Sequence, residues 1–342
     1  MYEPLCFPLW FPDGGRGWSP EVQKDCRVVT QMWWYRQLLL RMEHMHLCGR
    51  LLNEWLINMY CRMEDERLQL LRRQQLSRAA VTDLRCELIT NVHSRAQTPK
   101  TTYLPSRVPG SPRHMRRMRI DALEAARRKG PPSFFITLTC NPNWQEIVVA
   151  LQPGQNAADR PDISVRVSHA RLERMVAFLR NRFCGMWKYT LHVMECQSRG
   201  LPHAHIVLAA ESAPQTPDAV DLLISCELPS EDGPLRTAVL AHMIHRCNRS
   251  CHPDDPQQEC IRGSPWQFQE HTSYDIRGYP HHRRRPCGNT CPNCKANKAI
   301  YGSMKVCCNR IVVEYSPDIL LMWDGHANVR FAGSVNLFEY NN

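Results

Sequence analysis

Hydrophobic positions recur at two periods along this chain, and the change of period marks its elements. Between residues 47 and 63, Leu51, Leu52, Trp55, Leu56, Met59, Tyr60 and Met63 return every three to four positions, the spacing of one helix face. A charged continuation from Glu64 to Ser77 carries Leu68, Leu70 and Leu71, so residues 28–100 read as a helical segment. Residues 1–27 show neither period and read as an irregular tail. A second helix starts after the Thr101–Gly110 loop, with Ser111 as N-cap and Pro112 in the first turn. Met115, Met118, Ala122, Leu123 and Ala126 form its apolar face, and Gly130-Pro131-Pro132 stops it. Helical spacing returns over Ser168–Phe183.

Elsewhere the pattern is that of strands. Phe134–Thr139 is β-rich and ends in the turn Cys140-Asn141-Pro142. Trp187–Gln197 and His203–Ala210 flank an Arg199-Gly200 turn and read as a hairpin. Arg310–Tyr315 and Ile319–Trp323 are predicted as further short strands, whereas residues 242–308 are rich in Cys, His and Arg and poor in periodicity.

Composition narrows the class. The 342 residues are 43% hydrophobic, enough for one large or two ordinary globular domains. The formal net charge of +10 favours an anionic partner without distinguishing DNA from RNA or an acidic surface. No apolar run approaches the roughly 18–20 residues that cross a bilayer. Met1–Trp18 lacks the basic start and apolar core of a secretory signal, so the 17 cysteines read as thiols and metal ligands rather than as a disulfide framework. The helix after Ser111 carries seven basic residues against two acids. That charge makes Arg113, Arg116 and Arg117, with Arg199 of the hairpin turn, candidate phosphate contacts.

The hairpin carries the main candidate chemistry. Residues two apart on a strand share a face, so the imidazoles of His203-Ala204-His205 look the same way. A five-residue loop, Ser198–Pro202, places Gln197 opposite His203 and Glu195 opposite His205. Two imidazoles, a carboxylate and an amide then line one face, a ligand set for a divalent cation with positions open to substrate. A loop one residue longer or shorter turns the carboxylate to the wrong face. Two cysteine groups are candidate structural zinc ligands: Cys247, Cys251 and Cys260, with His252 beside them, and Cys287, Cys291 and Cys294, with Cys307-Cys308 further on. Neither forms an obvious four-ligand set.

The order of motifs resembles the N-terminal replication-initiator region of Helitron transposons, the Helitron helicase-like domain. The matching pieces include Gly49-Arg50-Leu51-Leu52, Leu104-Pro105-Ser106, Gly110-Ser111-Pro112-Arg113, Phe135–Pro142, Arg160-Pro161-Asp162 and Glu195 with Arg199–His205. His242-Met243-Ile244-His245, Gly278-Tyr279-Pro280 and Trp323–Val329 continue the series, from about residue 28 onward. The resemblance implies an α+β fold, an antiparallel central sheet with flanking helices of the HUH nuclease kind, preceded by the helical segment. The initiator domain would span 101–342 with a Cys/His-rich insert at about 242–308. It also implies a nuclear, rolling-circle nuclease that nicks single-stranded DNA with a tyrosine, leaving a 5′-phosphotyrosine and a free 3′-hydroxyl. Mg²⁺ or Mn²⁺ would sit on His203, His205 and a third ligand, Glu195 first and Gln197 second. Alignment beyond Ala327 places Tyr340 at the first of the family's two catalytic tyrosines. The second tyrosine and the helicase that follows in relatives have no counterpart before Asn342. The expectation is therefore a truncated or impaired initiator. An inactive DNA-binding remnant and a zinc-stabilised interaction module are the other readings.

Overall fold

The computed structural model describes the chain apart from residues 1, 20, 22, 25–26, 42, 90–103, 184–185, 197–199, 212–213, 215, 248–250, 252–259, 276–279, 287–307 and 333–342. It is a mixed helix and sheet structure divided into two compact units, residues 1–118 with 151–160 and residues 119–150 with 161–342. The division falls inside a helix, between residues 118 and 119. No described helix is long and apolar enough to cross a membrane.

The first unit contains α1 (Tyr2–Cys6), a two-stranded ribbon of β1 (Gln23–Lys24) and β2 (Arg27–Val28), α2 (Gln31–Arg41), α3 (Glu43–Leu47) and the long α4 (Arg50–Ile89). The predicted stripe is real: Leu52, Trp55 and Met59 are fully buried, while Tyr60 faces outward. The expected irregular tail is corrected. Residues 2–11 fold into α1 and a 3₁₀ turn, and Trp10 and Phe11 join Tyr35, Met45 and the α4 stripe in one core. Trp55 takes Trp10 and Tyr35 edge-on, with ring centroids 5.2 and 5.6 Å away. A local period is absent there because the aromatics are anchored by tertiary burial, each large ring offering more apolar area than a whole turn of polar chain. Glu3 is buried beneath this core and accepts hydrogen bonds from the Tyr35 hydroxyl, the Arg62 guanidinium and the Trp18 amide at 2.7–2.8 Å, so its charge is matched.

Helix α5 (Pro112–Lys129) begins as predicted, with Ser111 Oγ accepting the His114 N–H at 3.2 Å. Its expected apolar face is only partly a core face: Ala126 is buried, whereas Met115, Met118 and Leu123 are exposed.

In the second unit, β3 (Phe134–Thr139) is followed by α6 (Gln145–Val148), α7 (Pro161–Arg182), β4 (Trp187–Cys196), β5 (Pro202–Ala210), α8 (Pro217–Asp221) and α9 (Pro234–His242). A small ribbon of β6 (Ser273–Tyr274) and β7 (Pro280–His281), then α10 (Pro317–Trp323) and β8 (Ala327–Phe331), complete it. Strands β4, β5, β3 and β8 form one antiparallel sheet in that order. Alternation sorts its two faces. Phe134, Ile136, Leu138, Ala204, Ile206, Leu208, Ala327 and Val329 share the buried face beside α7 and α10. Phe135, Thr137, Thr139, His203, His205 and Val207 share the other, whose far end is closed by Ala126, Tyr189 and Ala209.

Two strand expectations fail. Ile319–Trp323 lies in α10, where Pro317 opens the helix and Ile319, Leu320 and Trp323 meet the core at helical spacing. Arg310–Tyr315 is a 3₁₀ turn and an extended run held by single bridges, Ile244 with Val312 and Ser225 with Tyr315. Runs of five or six apolar residues fit either element, and the neighbours decide.

Candidate metal centre

The β4–β5 hairpin brings the predicted ligands together by a register different from the one expected. Glu195 pairs with His203, Val193 with His205 and Cys196 with Pro202. The intervening residues are 197–201, so the loop is displaced by one position from Ser198–Pro202 and the pairing by two. A two-residue change of partner keeps every side chain on its face, which is why Glu195 still joins both imidazoles. Pro202 opens β5, where a missing N–H costs least, and its carbonyl accepts the Cys140 N–H at 2.9 Å.

One ligand atom from each of Glu195, His203 and His205 falls within 4.8 Å of the others. The rings stand edge-to-face with centroids 4.7 Å apart, and His205 Nε2 lies 3.2 Å from Glu195 Oε1. His203 is buried, His205 is half-buried and Glu195 is exposed, so the constellation opens toward solvent on the carboxylate side. Burial, and next the neighbouring His205, lower the pKa of His203 against the pull of Glu195. The neutral imidazole that a metal requires is thereby favoured.

Two residues that sequence reasoning passed over complete the geometry. Thr139 Oγ1 is 2.9 Å from His203 Nδ1, and Thr137 Oγ1 is 3.2 Å from His205 Nδ1. When these hydroxyls accept the Nδ1–H protons, both Nε2 lone pairs point into the site. Their signal in the sequence was the Thr-x-Thr alternation of β3, readable only once β3 was known to lie beside β5. Phe135 stacks on His205 with centroids 5.5 Å apart.

The same row of the sheet continues past Thr139, whose amide bonds to the His326 carbonyl at 2.9 Å. Burial, then the proximity of His203 and His242, pushes the His326 imidazole down to about 4, and its Nδ1 is buried without a hydrogen-bond partner. The turn before β8 is fixed against the end of β3. Trp323 donates to the Thr139 carbonyl at 2.8 Å, and Trp144 and Asn141 donate to the Asp324 carbonyl at 2.7 and 2.8 Å. Gly325 fits closely there: a Cβ would stand 3.1 Å from both the Thr139 carbonyl and the Trp323 ring, so a larger residue would push its neighbours by a few tenths of an ångström.

A second cluster gathers His245, Cys247, Cys251 and Cys260, again with one ligand atom of each within 4.8 Å of the rest. Three of these cysteines were predicted, and His245 was missed as a partner. Arg113, Arg116 and Arg117 are exposed on α5 in the first unit. Gln197, Arg199, Tyr340, Cys287, Cys291 and Cys294 lie outside the described residues.

Fold and site together define an α+β protein whose antiparallel sheet presents a His-x-His and carboxylate constellation that could hold a metal ion. The sequence model of the family described as "Helitron helicase-like domain at N-terminus" matches residues 33–208, about half of the chain and the whole of β3, β4 and the paired histidines. The chain belongs to the Helitron helicase-like N-terminal domain family. No curated protein matches it.

Proposed function

We propose that this chain is a Helitron initiator domain that binds single-stranded DNA and nicks it by transesterification at a divalent-cation centre on Glu195, His203 and His205. The observation that carries the reading is the convergence of those three side chains within 4.8 Å, with Thr137 and Thr139 holding the imidazoles from behind. Mixed nitrogen and oxygen ligation suits Mn²⁺ or Mg²⁺, and a hard cation there supplies charge neutralisation and orientation to a scissile phosphate. The chain's own part is to present two Nε2 atoms and one carboxylate on a strand pair, with the exposed side left for DNA.

Tyr340 is the proposed nucleophile, on the strength of its alignment with the family. Its hydroxyl oxygen forms a bond to phosphorus, the bond from phosphorus to the 3′-oxygen breaks, and that oxygen leaves as a 3′-hydroxyl after taking up a proton. The 5′-phosphate stays on the tyrosine, and exchanging one ester for another conserves the bond for later strand joining. The exposed arginines of α5 supply sequence-independent phosphate contacts.

The test is to incubate the full chain with end-labelled single-stranded oligonucleotides and Mn²⁺. A covalent protein–DNA adduct is expected, absent in His203→Ala/His205→Ala and in Tyr340→Phe. An adduct that persists in Tyr340→Phe refutes the nucleophile, and one that persists without the histidines refutes the site. Salt-sensitive binding with no adduct would make the chain a DNA-binding module.

A further inference from the structure

We infer that His245, Cys247, Cys251 and Cys260 form a closed, structural zinc site, separate from the Glu195–His203–His205 centre. The distances match a tetrahedron whose middle is one ion wide. Zn–N bonds of about 2.05 Å and Zn–S bonds of about 2.3 Å set the N···S edge of such a tetrahedron at about 3.6 Å. His245 Nε2 lies 3.4 Å from Cys247 Sγ, 3.8 Å from Cys251 Sγ and 3.4 Å from Cys260 Sγ. Four protein ligands leave no open position, which is the arrangement of a structural rather than a catalytic zinc.

The surroundings are those of a liganded thiolate. Cys251 and Cys260 are buried, and all three sulfurs are free of disulfides. Cys260 opens a tight turn closed by the Gly263 N–H to its carbonyl at 2.7 Å. His245 is fixed on its other side: its amide donates to the Ile311 carbonyl at 2.8 Å, and its ring meets Trp266 edge-on at 5.8 Å. The amide of Trp266 in turn donates to the Arg310 carbonyl at 2.8 Å. A zinc here would tie Cys247, Cys251 and Cys260 to His245, whose backbone is itself bonded to the 310–313 run that leads into α10.

Of the two histidines the sequence offers to this cluster, His245 presents its Nε2 to all three sulfurs, and His252 lies outside the described residues. Zinc content of the full chain, purified in reductant, is measured by chelator release for wild type and variants. One zinc per chain is expected. It should be lost in His245→Ala and Cys251→Ser, kept in His252→Ala and in Cys287→Ser/Cys291→Ser, and restored in His245→Cys. Cobalt substitution of the wild type should give the visible bands of a tetrahedral, thiolate-bound ion, a reading that needs no variant to fold. A zinc-free wild type overturns the inference, as does loss of zinc in Cys287→Ser/Cys291→Ser with retention in His245→Ala. Zinc should also remain in His203→Ala/His205→Ala, so failure of the nuclease reading and failure of this one are told apart.

Discussion

Replacing Thr139 by valine removes one hydroxyl and leaves a side chain of nearly the same shape. In the wild type that oxygen stands 2.9 Å from His203 Nδ1 and holds the ring angle, and by accepting the Nδ1–H it would leave Nε2 free for the metal. Removing such a supporting contact lowers metal affinity about 10- to 100-fold, or about 1.4–2.7 kcal/mol of binding free energy. The Thr137 contact is longer, at 3.2 Å, and His205 is also stacked on Phe135. Thr137→Val should therefore weaken binding less than Thr139→Val. Calorimetric titration of each protein with Mn²⁺ gives the affinities, and thermal unfolding without metal checks that stability has moved by no more than about 1 kcal/mol, the net value of one hydrogen bond. Unchanged Mn²⁺ affinity in a folded Thr139→Val protein, or a larger loss in Thr137→Val, would refute the assignment of these hydroxyls as the supports of the site.

Three other outcomes are expected. Trp55→Ala, which empties the space between Trp10 and Tyr35, should cost about 3–5 kcal/mol in urea unfolding. His282 and His326, both held down to about 4 chiefly by burial, remain neutral in the folded chain while unfolded imidazoles protonate near 6.5. Protons then bind preferentially to the unfolded state, so stability is complete above about pH 6.5 and is lost as pH falls toward 4, by up to about 3 kcal/mol per histidine. A melting temperature that stays flat from pH 7.5 to 4.5 would contradict this. Finally, Arg113→Gln/Arg116→Gln/Arg117→Gln should weaken single-stranded DNA binding at all sequences and flatten the log–log salt dependence by about 2, since each lost phosphate contact removes about 0.7. Anisotropy titrations across salt concentrations measure it.

Much of the site was legible before any coordinates. His203 and His205 had to share a face because strands repeat every two residues, and the acidic neighbour was found at Glu195. The register itself was not legible, because a five-residue loop can begin at Gln197 or at Ser198 and only pairing along the whole hairpin settles the choice. The match of side chains survived because the difference was even. Helix α5 shows the opposite limit: its start and end were correct, but the sequence does not say that Met115, Met118 and Leu123 would remain exposed. Whether an apolar face becomes a core face depends on what packs against it.

Local chemistry and periodicity determined the helices α4 and α5, the strand β3, the hairpin and the family. They act over a few residues, where spacing alone sets which side chains share a surface. The tertiary structure decided the rest: the threonines behind the imidazoles, His245 among the cysteines, Trp10 in the first core, and the helix rather than strand at Ile319–Trp323. These depend on segments far apart in the chain meeting at hydrogen-bond distance, and the free energy that selects such meetings comes from burial and pairing that no short window of sequence contains.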